Sequence, residues 1–215
     1  GIDLDILEDR LKECNPKLIY TMPTFQNPTG LSTSQTHREK LLNLCEKYRV
    51  PLVEDGFEEE MKYFGKAVLP IKSMDKNQVV IYLGTFSKVL FPGVRIGWIV
   101  APQELISKMG SLKYVSDISG NPLIQASVYQ FCMQGFYEIH KKRLHRVYRK
   151  RMQTTLQACR EFLSPEFVNW TKPDGGYLLW LSLKKGQESE KEIMARLFAA
   201  GVNVTAGSQF FPEPR

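Results

Sequence analysis

Three short apolar runs, each ending in a polar group at a turn, constrain the fold of this chain more than any other feature. They are Leu18-Ile19-Tyr20-Thr21-Met22, Pro51-Leu52-Val53 and Val79-Val80-Ile81-Tyr82-Leu83. All three read as short buried strands. Between the first two, Ser32 or Ser34 can cap a helix whose apolar face is Leu41, Leu42, Leu44, Cys45 and Tyr48, and Pro51 opens the next strand. Strand, helix, strand is βαβ logic, so the spacing predicts a mainly parallel sheet flanked by helices. After the runs come Asn27, in the turn-rich Pro23–Gly30 loop, then Asp55, then Lys88 in Gly84-Thr85-Phe86-Ser87-Lys88. Parallel neighbouring strands bring all three groups to one edge of the sheet, where open α/β folds bind ligands. Each has an ordinary explanation alone: a turn for Asn27, a helix cap or loop acid for Asp55, a solvated amine for Lys88. Their shared position is what points to a site.

The residue types suit one chemistry. An amine can condense with an aldehyde, and Lys88 lies between two hydroxyls, Thr85 and Ser87, with Arg95 seven residues on. Hydroxyls and a guanidinium fork are phosphate donors, so the group of four suits a phosphorylated carbonyl cofactor. A carboxylate at Asp55 can keep a pyridine nitrogen protonated, and Asn27 can donate to an anionic ring oxygen.

Further along, the segment from Gly56 to Asn77 is expected to cross the face of the site, with Glu58, Glu59 and Glu60 as a solvated acidic run. Residues 95–101 read as a returning strand, and Pro102 as the start of a helix to about Val115. Gly120-Asn121-Pro122 breaks the chain before a helix over Leu123 to Phe136, which leads into a long basic helix. Beyond it the pattern predicts a strand over Tyr177–Leu183, a helix over Glu190–Ala200 closed by Gly201, and a strand over Val202–Thr205. The net charge of +6 is concentrated in Lys141–Arg151. Leu144, Val147, Tyr148 and Met152 keep helical spacing through that stretch, which favours an amphipathic helix with a solvated basic face over nucleic-acid contact. His37, His140 and His145 lack zinc-ligand spacing and fall on polar helix faces. Cys14, Cys45, Cys132 and Cys159 are widely spaced and form no metal or redox motif, so reduced thiols in a cytoplasmic protein are expected. No apolar run approaches the roughly 20 residues of a membrane span, and the N-terminus reads as having no signal peptide.

Asn27-Pro28-Thr29-Gly30, Glu54-Asp55, Gly84 to Lys88 and Pro92-Gly93-Val94-Arg95-Ile96-Gly97 resemble, in order, the signatures of fold-type I pyridoxal-phosphate aminotransferases of class I/II. Gly175-Gly176-Tyr177-Leu178-Leu179-Trp180 and Gly207-Ser208-Gln209-Phe210-Phe211 resemble that family's small-domain landmarks. The phrases around Asn27 and Lys88 are most similar to two groups. One is the 2-aminoadipate-type aminotransferases; the other is the aminotransferase-like half of MocR-type regulators of the GntR superfamily. The resemblance implies part of a large pyridoxal-phosphate-binding domain over residues 1–142 and part of an α/β small domain over 143–215. It implies pyridoxal 5'-phosphate as cofactor, an amino acid and a 2-oxo acid as substrates, and a homodimer without membrane attachment. Lys88 and Asp55 would be catalytic; Asn27, Asp55, Thr85, Ser87, Lys88 and Arg95 would bind cofactor, and Asn27 also the substrate carboxylate. The regulator alternative has the same site sensing an amino acid, with DNA bound by a separate upstream winged-helix domain.

Two departures from the family pattern stand out. Many relatives carry a tyrosine two or three residues after the aspartate, where this chain has Phe57 and Glu58; Tyr63 is the alternative donor to the ring oxygen. The family's upstream phosphate loop and its downstream carboxylate-binding arginine are not matched here, Arg215 being too early for the latter. The chain is therefore expected to be a fragment with little or no activity by itself.

Overall fold

The computed structural model of the protein describes residues 1–184 and 189–211; Arg215 lies outside the described residues. Four strands, β1 (Ile19–Thr21), β2 (Leu52–Asp55), β3 (Val80–Thr85) and β4 (Gly97–Val100), form one sheet in that order. The first three are parallel and β4 runs antiparallel to β3. The sheet is thus mainly parallel, as the βαβ spacing predicts, and helices flank it. Helix α1 (Leu4–Cys14) is capped by the Asp3 carboxylate, and α2 (Gln35–Tyr48) by Ser34 rather than Ser32. Leu41, Leu42 and Cys45 of α2 pack with Leu11, Ile19, Leu52, Ile71 and Val80 into the first core cluster. Each such aliphatic side chain contributes about 1.5–3 kcal/mol when withdrawn from water.

Two charged residues are buried in this layer. The Glu54 side chain alternates with Asp55 toward the core, where its carboxylate accepts the backbone N–H groups of Ile71 (2.8 Å) and Lys72 (2.7 Å). Burial raises its pKa, and the two N–H donors oppose that. Arg38 is fully buried and donates to Pro23 O (2.9 Å), Leu69 O (3.0 Å) and the hydroxyls of Thr24 (2.8 Å) and Thr33 (3.2 Å). A buried guanidinium persists only when its donors are matched. Arg38 thereby fastens the first residues of the Asn27 loop to α2.

Helices α3 (Gln103–Asp117) and α4 (Pro122–Met133) follow the sheet, and Asn121 caps α4 where the Gly120-Asn121-Pro122 break is read. Gly135, with φ +75°, separates α4 from α5 (Phe136–Phe162), so the predicted helix to Phe136 ends at Met133. α5 runs unbroken for about 40 Å, past residue 142. Its Tyr137 and Met152 enter the second core cluster with Phe25, Met61, Tyr63 and Val89, and Leu144 and Tyr148 pack against it; Val147 is turned outward. The basic face is less solvated than expected. Lys141 pairs with Glu138 (2.8 Å) and Glu60 (3.5 Å), and Arg149 lies over the Phe64 ring. His37, His140 and His145, read as lying on polar helix faces, each meet a backbone carbonyl, of Ile2, Val89 and Glu60. Helix periodicity places them on a face but does not say which loop packs there.

Two predicted strands differ as well. Of Tyr177–Leu183 only β6 (Leu181–Leu183) is a strand, antiparallel to β5 (Val168–Trp170). Gly176 has φ +71° and the Tyr177 N–H is engaged by Glu58, so the ladder cannot extend back that far. Val202–Thr205 forms no ladder among the described residues; Val202 N–H instead closes the end of α6 (Glu190–Ala199) on Leu197 O, next to Gly201 at φ +77°. No described helix is long and apolar enough to cross a membrane.

Candidate active site

Register decides what the strands present. Thr21 pairs with Glu54 and Asp55 with Leu83, so β1, β2 and β3 end on the same side of the sheet. Asp55 is the last residue of β2, Lys88 lies three residues past β3, and Asn27 lies in the loop after β1. The structure therefore brings the three sequence-predicted groups to one edge.

The Asp55 carboxylate is held at both oxygens: Tyr20 Oη donates to Oδ2 (2.5 Å) and Phe57 N–H to Oδ1 (3.1 Å). Burial, then the bond to Asp55, pushes the Tyr20 pKa upward, so the phenol stays protonated and remains a donor. Lys88 Nζ stands 5.8 Å from the centre of the Phe57 ring, so the amine lies over the residue that follows Asp55 by two. Tyr177 Oη donates to Lys88 O (2.8 Å) and holds the lysine backbone.

Thr85 and Ser87 form one donor cluster. Their hydroxyls are 3.1 Å apart, Ser87 N–H donates to Thr85 Oγ1 (3.1 Å), and Thr85 Oγ1 reaches Ile96 O (3.2 Å). The Ile96 carbonyl also takes Phe86 N–H, which ties the Lys88 turn to the Arg95 turn. Arg95 has φ +51° at the end of the 3-10 turn Pro92–Val94, which shortens the predicted strand to Gly97–Val100. Its guanidinium donates to Pro92 O (3.3 Å) and lines an open cleft of about 520 Å³ with Phe86, Gly97 and Lys113. A side chain at Gly84 would collide with Trp98, so the β3–β4 corner needs glycine for close approach.

Asn27 is exposed in a loop tied by Phe25 N–H to Ser32 Oγ and by Gly30 N–H to Gln26 O. Its side chain makes no hydrogen bond among the described residues. Tyr63, the alternative ring-oxygen donor, is 8% exposed in the second core cluster, and among the described residues its hydroxyl has no partner.

The acidic run is not uniformly solvated. Glu58 is 3% exposed, Glu59 accepts the Tyr82 hydroxyl (2.6 Å), and only Glu60 is open, accepting the Tyr137 hydroxyl (2.6 Å). A run of three like charges reads as solvated because its turn is invisible: residues 56–61 fold back, and Met61 N–H bonds Glu58 O (2.8 Å). Tyr20 and Glu58 were the site residues that sequence reasoning missed. For Tyr20 the clue was available, since it is the outward residue of a strand whose neighbours Ile19 and Thr21 are buried.

The donor set fits a phosphorylated pyridine aldehyde: hydroxyls and a guanidinium for the phosphate, a doubly held carboxylate for the ring nitrogen, an amine for the aldehyde. The architecture is that of the fold-type I aminotransferases. The family model for aminotransferase class I and II matches residues 1–213, and the chain belongs to that family. It is 38% identical to aromatic-amino-acid aminotransferase 1 of Thermococcus litoralis, over 98% of this chain and 51% of that protein. The crystal structure of the α-aminoadipate aminotransferase LysN of Thermus thermophilus, complexed with N-(5'-phosphopyridoxyl)-L-leucine, matches with a TM-score of 0.92. That match has 33% identity and covers 100% of this chain and 55% of that one. The HTH-type transcriptional regulator YdfD of Bacillus subtilis is 32% identical over 91% of this chain and 40% of its own length. The chain spans about half the length of the curated aminotransferases it matches.

Proposed function

We propose that the protein carries the central part of a pyridoxal-phosphate-dependent aminotransferase, which moves an amino group between an amino acid and a 2-oxo acid. The observation that carries this reading is the placement of Asp55 and Lys88 at the ends of adjacent parallel strands, with the Phe57 ring beneath the amine. When bound, pyridoxal phosphate supplies an electron sink that makes the substrate Cα–H acidic. Lys88 is the residue that would hold the cofactor's aldehyde through its amine, and its Nζ would take and return the substrate proton. Asp55, kept in place by Tyr20 and the Phe57 N–H, holds the proton on the ring nitrogen. Thr85, Ser87 and Arg95 bind the phosphate, and Asn27 meets the ring oxygen and the substrate carboxylate. An aromatic amino acid or 2-aminoadipate is the substrate class that the similar proteins favour.

Residues 1–142 are assigned to the large domain and 143–215 to the small one, with α5 passing between them, in a cytoplasmic homodimer. The match to YdfD favours one second reading, a regulator that uses the same site as an amino-acid sensor; a winged-helix domain encoded upstream would decide for it.

Borohydride reduction of the full-length protein followed by peptide mass mapping tests the assignment. A pyridoxyl mass on the Lys88 peptide is expected, and a label on another lysine overturns it.

A further inference from the structure

Arg38, in α2, is wholly withdrawn from water, and its guanidinium reaches both stems of the loop that carries Asn27. Nη2 donates to Pro23 O (2.9 Å) and Thr24 Oγ1 (2.8 Å) on the incoming stem, and Nε to Thr33 Oγ1 (3.2 Å) on the outgoing one. Thr33 ties the stems together, its N–H (2.8 Å) and its hydroxyl (3.1 Å) both donating to Pro23 O. The remaining arm, Nη1, donates to Leu69 O (3.0 Å), while Leu69 N–H donates to Gln35 Oε1 (3.2 Å), so α2 holds that residue at both backbone groups. Between the stems Phe25 has φ +48°, with its side chain fully buried. A bulky residue in the left-handed region is strained and persists only where its surroundings fix it. Here Phe25 N–H donates to Ser32 Oγ (3.2 Å), the Phe25 ring fills the space a Cβ would need at Gly175, and Arg38 grips the two residues before it. Asn27, two residues further on, is exposed.

We propose that Arg38 is a positioning residue for Asn27: by clamping both stems of the loop to α2 it holds the turn at Phe25 and so sets where the Asn27 amide stands at the sheet edge. The proposal rests on the reading of Asn27 as the side chain that meets the cofactor's ring oxygen. Two physical facts support it. The four hydrogen-bond partners of Arg38 are neutral, two carbonyls and two hydroxyls, and burying a cation on such partners costs more than filling the same volume with an apolar side chain. What the guanidinium supplies and an apolar side chain does not is direction, because its rigid fork fixes three loop acceptors at once relative to a helix. Without that grip the chain entering Phe25 is free to leave the left-handed conformation, and Asn27 moves with it. Arg38 touches neither cofactor nor substrate in this scheme and acts through the loop alone.

Two measurements on the full-length protein test this. In Arg38→Met without added cofactor, amide hydrogen exchange should quicken by about tenfold or more in peptides covering residues 23–33, as expected for the loss of charged hydrogen bonds, and should be unchanged in peptides covering Leu41–Tyr48 of α2. With cofactor bound, the visible-absorbance pH titration of Arg38→Met should move to higher pH, in the direction expected of Asn27→Ala, and the double variant should move no further than Asn27→Ala alone, since two residues acting through one contact are not additive. Arg38→Lys keeps the charge without the fork and should show the same changes at smaller size; it carries both measurements if Arg38→Met does not fold. Unchanged exchange over residues 23–33, equal acceleration in α2, an unmoved titration, or a double-variant shift equal to the sum of the two single shifts overturns the proposal. Absence of the pyridoxyl mass from the Lys88 peptide defeats the aminotransferase reading, whereas an unmoved titration in protein that carries that mass defeats the Arg38 assignment alone.

Discussion

Tyr20 and Asp55, on neighbouring strands, share a 2.5 Å hydrogen bond in which the phenol donates to Oδ2. With Phe57 N–H on Oδ1, it fixes the carboxylate at the sheet edge. Tyr20→Phe removes one charge-assisted donor at a part-exposed site and should weaken pyridoxal phosphate binding by about 1 kcal/mol, roughly fivefold. Equilibrium titration of the full-length protein by absorbance checks this. Unchanged affinity would show that the carboxylate does not meet the cofactor.

Tyr63 lies in the second core cluster, and among the described residues its hydroxyl has no partner. Tyr63→Phe relieves that orphan and should raise stability by up to about 1 kcal/mol, seen as a higher urea midpoint. It should leave the visible-absorbance pH titration of the cofactor-loaded protein unchanged. An upward shift of that titration would mean that Tyr63 reaches the ring oxygen after all.

Phe57, whose ring lies under Lys88, occupies one of the family's two tyrosine positions. A hydroxyl donated to the ring oxygen favours its deprotonated form. Phe57→Tyr should therefore move the same titration to lower pH and Asn27→Ala to higher pH. No movement in either variant would remove both residues from the ring-oxygen contact.

Glu58 makes stability fall with rising pH. Its pKa is about 7 in the folded chain against an ordinary 4.5. Below 4.5 the carboxyl is protonated folded and unfolded alike; between 4.5 and about 7 the folded state binds the extra proton, and this stabilisation is lost as pH rises. The loss reaches about 3 kcal/mol above pH 7. Glu58→Gln should gain on the parent protein by that order between pH 5 and pH 8 in urea denaturation. A stability difference that does not vary with pH would contradict the buried, titrating carboxyl.

Gly176, at φ +71°, has Glu58 Oε2 and Phe25 Cβ within 2.7 and 2.8 Å of where a Cβ would sit. Gly176→Ala combines left-handed backbone strain with overpacking and should cost about 2–4 kcal/mol. A loss below about 1 kcal/mol in the urea midpoint would show that this segment has room to relax.

The legible parts of the site were those encoded in short contiguous stretches. Asn27, Asp55 and Lys88 each follow an apolar run, so alternation and turn residues sufficed to place them on one edge once the strands were parallel. Val202–Thr205 and Tyr177–Leu179 have strand-like composition but form no ladder among the described residues, because pairing depends on where another backbone lies.

By itself the sequence determined the βαβ order, a serine cap for α2 at Ser32 or Ser34, the break at Gly120-Asn121-Pro122, the family, and the residue types that meet a phosphate, a pyridine nitrogen and an aldehyde. These follow from periodicity and local hydrogen bonding over a few residues. Only the tertiary structure decided that Tyr20 grips Asp55, that Glu58 is buried against Tyr177 while Glu60 is not, and that Tyr63 sits in the core. Those contacts join residues up to 119 positions apart, and the environment of a side chain, which sets its pKa and its role, is a property of the packed neighbours rather than of the chain around it.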